Sequence, residues 1–302
     1  MEQYLIGKII KEFRRRNNLS QEKLAGTSCA VSTLSRIEHG EQIPNWKLVE
    51  ALFSKMGMAS PLHSVPMSET DLKRWNLEYE ITNSVANSDY ETNKMLEEYY
   101  ACSSVLNTLE QQFYIFQKAI YNRHHNGTAE EILSLLEYAL QLSITRFTPD
   151  MNLSGRLLTK TERLILNNIA LVLYDLNRKD QAETILEFLI QYFETQTISE
   201  TEKAKDYPVI LFNLSNWKGL DGKYEEALAL SEKGINECIT YGQLLIFPYL
   251  LFNKGYCLLG LKQTEDGKKS IEHAFNFMDE TGKHEDVVFA SKKIKEIFGI
   301  DI

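Results

Sequence analysis

Three pairs of small residues, each pair twelve positions apart, constrain this chain more than any other feature: Ala170 with Ala182, Ser215 with Ala227, and Gly255 with Gly267. Each pair falls on two successive stretches of helical periodicity. A small side chain therefore stands on both helices of a hairpin, and the two backbones can approach closely. The anchors Ala182, Ala227 and Gly267 are separated by 45 and 40 residues. A sequence that recurs in this way builds its core by stacking hairpins on one another.

The arrangement is that of the tetratricopeptide pattern, with a period longer than the standard repeat of about 34 residues, so the units are degenerate and have extended helices or loops. Earlier in the chain, 112–142 fits a further pair less well and 72–106 another. After Gly282, the helix around Val287 to Phe298 reads as a terminal cap. Helix starts carry the S/T-x-x-E pattern at Thr128 with Glu131, Thr159 with Glu162 and Ser199 with Glu202, and Ser68 with Asp71 resembles it. No stretch alternates with period two for more than a few residues, which excludes strands. The expected fold class is all-α, with residues 71–302 a right-handed array of tetratricopeptide-like helical hairpins. A non-repetitive helical bundle is the alternative.

The first 60 residues read differently. Leu5, Ile6, Ile9, Ile10 and Phe13 predict an opening helix over 4–16. Ser20 is placed to cap a short helix over 21–25, and a second helix over 30–38 turns Leu34 and Ile37 inward before Gly40 stops it. Ala25 is small where the two helices would cross. That arrangement is a helix-turn-helix, and its outward face is Val31, Ser32, Thr33 and Arg36. Short hydroxyls at a helix start reach base edges, and a guanidinium one turn later can pair with guanine or hold a phosphate. Gln21 and the run Arg14, Arg15 and Arg16 are candidates for phosphate contacts. An ordinary helical hairpin with a solvated charged face is the bland alternative. Asn45 caps a further helix from Trp46 to about Met56, and 61–70, with two prolines and His63, is the expected linker.

LSQEKLA at 19–25, LSRIEHG at 34–40, Pro44 and the Leu48, Val49, Leu52 helix together resemble the Cro/repressor-type DNA-binding domain. The link between the helices is one residue shorter than that family's usual pattern. In this the chain resembles the Gram-positive peptide-pheromone regulators of the PlcR and Rgg type. LNNIALVLYDLNR, LFNLSNWKGLDGKYEEAL and FNKGYCLLGL extend the resemblance through the repeats. It implies a homodimer on a pseudo-palindromic double-stranded DNA operator and repeats that bind a short, re-imported signalling peptide. It also implies activation of transcription in response to cell density.

Charge is divided along the chain. Residues 1–65 hold 9 Lys/Arg against 6 Asp/Glu, and the remainder holds 24 against 36. An acidic body is repelled by DNA, which leaves the basic head as the contact surface. Met1 leads directly into an amphipathic segment, and no apolar run approaches the roughly 20 residues of a membrane span, so the expected location is the cytoplasm with no membrane partner. Cys29, Cys102, Cys238 and Cys257 are scattered without a CxxC or a Cys/His cluster, so no metal or cofactor is expected. His124 and His125 read as a solvated turn.

Asparagine recurs in one register of the repeats: Asn168, Asn213 and Asn253 each stand fourteen residues before an anchor. An amide has both a donor and an acceptor, which match the two polar groups of a peptide unit. If the first helix of each pair lines a concave surface, such a row can hold an extended backbone. Tyr174, Trp217, Lys254 and Tyr256 would then supply the selective pockets and charges. Surface exposure, or a bridge between adjacent repeats, is the structural alternative for these amides. The resemblance places the peptide-holding asparagines on Asn167 and Asn213, so Asn167 and Asn168 compete for one role.

A peptide-responsive transcription factor is therefore the leading expectation. A helical-repeat protein that sequesters another protein, and a repressor of the same architecture without a peptide ligand, are the alternatives. No Gly-rich phosphate loop, GxSxG, HExxH or paired apolar carboxylate points to an enzyme.

Overall fold

A computed structural model of the chain describes residues 5–58, 69–84, 90–102, 106–125 and 127–302. Most of the expected linker, 61–68, including His63 and Ser68, lies outside the described residues. All fifteen regular elements among the described residues are α-helices. They form two compact units, Met1–Leu189 with Thr195–Ser199 and Ile190–Glu194 with Glu200–Ile302. The division falls near residue 190 and does not follow the boundary between head and repeats.

In the first unit the head consists of α1 (Leu5–Arg16), α2 (Gln21–Ala25), α3 (Val31–His39) and α4 (Trp46–Lys55). Local chemistry sets these ends. The Ser20 side chain accepts from Lys23 N at 3.1 Å and that of Asn45 from Leu48 N at 2.8 Å, each cap contributing about 1 kcal/mol. Gly40 closes α3 in the left-handed region at φ 76°. Ala30 has no side-chain acceptor and remains extended, so α3 begins at Val31. Ile10, Leu24, Ala25, Leu34, Ile37, Val49 and Leu52 are buried together and form the head's core. Gly7 sits where α1 meets α3: a Cβ there would stand 1.8 Å from the Ile37 carbonyl oxygen.

The same unit continues with α5 (Glu69–Ser84), α6 (Tyr90–Ala101), α7 (Thr108–His124), α8 (Ala129–Gln141), α9 (Lys160–Asp175) and α10 (Lys179–Thr195), whose last turn belongs to the second unit. Capping boxes open α8 at Thr128 and α9 at Thr159, as the sequence predicts, and a third opens α7 at Asn107 with Glu110. Ala170 and Ala182 are fully buried.

The head is joined to these helices by buried polar contacts. Lys47 Nζ of α4 donates to Glu78 of α5 at 2.8 Å and to Glu50 at 3.2 Å, and the Tyr99 hydroxyl of α6 donates to the other Glu78 oxygen at 2.6 Å. Lys47 also lies 4.7 Å from the centre of the Phe113 ring. Arg74 and Glu110 pair beside them, and Lys160 N donates to Ser54 Oγ at 2.9 Å.

The second unit contains α11 (Glu200–Leu220), α12 (Tyr224–Tyr241), α13 (Phe247–Gly260), α14 (Thr264–Glu280) and α15 (His284–Phe298), each packed against the next. The small residues do what their register requires. Ser215 and Ala227 are fully buried, and a Cβ on Gly255 would lie 2.8 Å from the Gly267 carbonyl oxygen. Only glycine permits that approach of α13 to α14. Helix α15 covers the end of the array with Ala290, Ile294 and Phe298. Among the described residues no helix is long and apolar enough to cross a membrane.

Candidate DNA-binding and peptide-binding surfaces

The two helices of the helix-turn-helix are held by one buried carboxylate. Arg14 pairs with Glu38 through Nε to Oε1 at 2.6 Å and Nη2 to Oε2 at 2.8 Å, while its Nη1 donates to the Leu19 carbonyl oxygen at 2.8 Å. Gln21 Nε2 donates to the same carboxylate at 2.8 Å. Burial pushes the Glu38 carboxyl up, but the hydrogen bonds from Arg14 and Gln21 outweigh it and leave the group below the usual carboxylate range. The hydrogen bond to Glu38 also raises Arg14.

This corrects part of the expected phosphate surface. The Arg14 guanidinium and the Gln21 amide nitrogen are turned inward, because the alternative is an unpaired carboxylate in the head's core. Arg15 and Arg16 remain exposed, Arg16 pairing with Glu12 at 2.5 Å and lying 5.4 Å from the centre of the Phe13 ring.

On α3 the expected outward face is present. Val31, Ser32 and Arg36 are exposed and Thr33 half-exposed, while Leu34, Ile37 and Glu38 are buried on the opposite side. The sign of charge agrees with this geometry. The exposed cations Arg15, Arg16 and Arg36 lie at the end of α1 and on α3, and the one carboxylate on α3 is the buried Glu38.

The expected peptide contacts separate into two groups. In the first unit, Asn167 and Asn168 of α9 are both half-buried, and the Asn168 amide donates to its own helix at Leu164 O, 2.9 Å away. Tyr174 is half-exposed, with Lys179 5.3 Å from its ring centre. In the second unit, Asn213 is half-buried and Lys254 pairs with Glu232 at 2.9 Å.

The remaining three residues are core. Asn253 is 4 % exposed, and its amide donates to Ser215 Oγ at 2.9 Å and lies 3.4 Å from Phe212 O. It bridges α13 to α11, which was the structural alternative for this register. Trp217 is buried, and Tyr256 is enclosed by Tyr224, Phe252 and Phe298, the last with ring centres 5.1 Å apart. The apolar area of these large rings is removed from water beneath neighbouring helices, so they do not line an open groove. Buried Cys238 and Cys257 have thiols pushed up to about 11 and about 12 by burial, in keeping with small apolar fillers. His125, exposed at the end of α7, stacks on Tyr121 with ring centres 3.9 Å apart.

The partly exposed amide of Asn213 could not be distinguished by spacing from the buried one of Asn253. Both occupy the same repeat position, and the neighbour that takes up the second amide, Ser215, is itself one of the paired small residues.

Comparison with known proteins places this geometry. Residues 10–59 match the helix-turn-helix family profile. No curated protein matches the chain. Among solved structures, Bacillus thuringiensis PlcR in complex with the peptide PapR7 and DNA is similar over 95% of this chain and 99% of that one, with 18% identity and a TM-score of 0.60. The apo form of PlcR aligns over 96% and 99%, with 19% identity and a TM-score of 0.55. ComR from S. thermophilus, in complex with DNA and its signalling peptide ComS, aligns over 98% and 100%, with 18% identity and a TM-score of 0.50. In fold, the chain is similar to these PlcR and ComR structures, with a helix-turn-helix head followed by tetratricopeptide-like helical pairs.

Proposed function

We propose that this protein is a transcriptional regulator of cell-density signalling that reads DNA through α3 and is controlled by a short peptide bound to its helical repeats. The observation that carries the reading is the outward face of α3: Ser32, Thr33 and Arg36 point away from a core that the Arg14–Glu38 pair and Gln21 hold in place. Ser32 and Thr33 contact base edges, Arg36 pairs with a guanine or a phosphate, and Arg15 and Arg16 hold the backbone. The head buries little DNA surface by itself, so the protein acts as a homodimer on a pseudo-palindromic operator. The complexes of PlcR with PapR7 and DNA and of ComR with ComS and DNA support the pairing of these two ligands on one fold.

The half-buried amide of Asn213 on α11 is a peptide contact, and the peptide is a secreted signal that re-enters the cell. The bound form activates transcription in the cytoplasm by changing the placement of the two heads, because half-sites one helical turn apart are sensitive to a modest change in separation. The test is a fluorescence-anisotropy titration on DNA from the gene's own upstream region, with and without synthetic peptides from neighbouring small open reading frames. A peptide that shifts the DNA affinity supports the reading. DNA binding that is negligible at low salt overturns it and favours sequestration of a protein partner.

A further inference from the structure

Beneath the turn of the helix-turn-helix lies a cavity of about 190 Å³, contained within the first unit. Its walls come from two sources. Lys23, Gly26 and Thr27 of the head form one side, and the segment between α8 and α9 forms the other with Ile144, Arg156 and Leu158. Lys55, at the end of α4, belongs to the same lining and is only 5 % exposed. Its ammonium has three N–H donors, and the one hydrogen bond it makes among the described residues is to Ala25 O at 3.2 Å. Gly26 packs directly on it: a Cβ there would stand 3.0 Å from Lys55 Nζ.

The charges around this cavity are unequal in their commitments. Glu162 is occupied by its capping box, accepting from Thr159 N at 2.6 Å, and Glu22 is held low by hydrogen bonds to its own backbone and to Ser20. Lys23, Lys55 and Arg156 make no ion pair with any described residue. Burial pushes the Lys55 ammonium down, against the opposing pull of Glu162. An anion in the cavity would give this buried ammonium the partner that its burial calls for. Ile144 and Leu158 are buried and add an apolar wall of aliphatic size.

We propose that this cavity binds a small aliphatic carboxylate, with the carboxylate on Lys55 and Arg156 and the aliphatic group against Ile144 and Leu158. The volume is below the ~300 Å³ of a drug-sized site and suits a ligand the size of one amino-acid residue. The ligand is a free carboxylate or the last residue of a peptide, and both present the same chemistry. Because Gly26 and Thr27 join α2 to α3, the occupant touches the segment that sets the pose of the reading helix.

The test uses the full-length protein and four probes in NMR titrations: N-acetyl-leucine, N-acetyl-leucinamide, a pentapeptide ending in leucine with a free carboxylate, and inorganic phosphate. N-acetyl-leucine is expected to saturate in the millimolar range and to shift the backbone amides of Gly26 and Thr27, whereas the amide binds at least about tenfold more weakly. Stronger binding of the pentapeptide identifies a chain end as the source, and equal binding identifies the free acid. Arg156→Ala, in an exposed stretch, weakens the acid severalfold without loss of fold, and Lys55→Met abolishes binding. Equal shifts from acid and amide, phosphate binding in preference to the acid, saturation unchanged by Arg156→Ala, or no saturation by any probe would each overturn the proposal.

Discussion

The Asn253 amide donates across 2.9 Å to the Ser215 hydroxyl, which ties the third helix of the second unit to the first. Ser215 in turn donates to Phe212 O at 2.9 Å, so the contact is a short buried chain of hydrogen bonds. Asn253→Ala removes the amide and leaves Ser215 without its donor. The unfolding free energy is expected to fall by about 1 to 3 kcal/mol in urea titrations.

Asn213 is half-buried and occupies the same repeat position as Asn253. Asn213→Ala is expected to weaken a cognate peptide about tenfold or more, as measured by calorimetry. Affinity equal to wild type would make this amide structural as well.

Arg14 and Arg36 should separate in the same way. Arg14→Ala strands the Glu38 carboxylate in the head's core, so a loss of about 3 to 5 kcal/mol in stability is expected. Arg36→Ala should leave stability intact, weaken operator binding by about 1 to 3 kcal/mol and relax the base preference at one position per half-site. Arg15→Ala should weaken operator and random DNA alike and reduce the salt slope by about one. Competition titrations against random DNA at several salt concentrations read all three variants.

The Lys47–Glu78 contact makes a pH prediction. Burial pushes the Glu78 carboxyl up to about 7, against the pull of Lys47 and the Tyr99 hydroxyl. A carboxyl raised in the folded state holds its proton where the unfolded chain has released it. Its contribution is therefore fully present below about pH 4.5 and is lost as pH rises through about 7. The chain should lose stability on the order of 1 to 3 kcal/mol between about pH 5 and 7 from this group. Glu78→Gln should flatten that interval, and an unchanged slope would remove Glu78 as its source.

Gly255 and Gly267 make the packing of α13 on α14 testable. Gly255→Ala would place a Cβ 2.5 Å from Ile271 Cγ1 and 2.8 Å from a backbone oxygen. Backbone cannot give way as a flexible side chain can, so a loss of about 1 to 3 kcal/mol is expected in thermal or urea unfolding. Gly222→Ala is the control for space: no atom lies within 4 Å of the added carbon, and its cost is that of the positive φ of 77° alone.

Much of this protein was determined locally, within a few residues of sequence. Ser20, Asn45, Thr128 and Thr159 cap the helices they precede, because a side-chain oxygen and an orphan amide three residues on need no tertiary partner. The small anchors and the buried face of α3 were legible for the same reason, since periodicity reports which side of a helix must leave water. Tertiary structure alone decided which polar side chains remained outside. Arg14 and Gln21 lie on different helices from Glu38 and are drawn in by a carboxylate that the core would otherwise leave uncompensated. Asn253 is buried by Ser215 on another helix, while Asn213 in the same register stays half-buried. Pro208 lies inside the 21-residue α11, a position that costs roughly 3 kcal/mol in isolation, and its buried neighbours Tyr207, Ile210 and Leu211 carry the helix through. For Arg14, Gln21 and Asn253 the deciding partner is distant in sequence, and side-chain spacing along one helix contains no record of it.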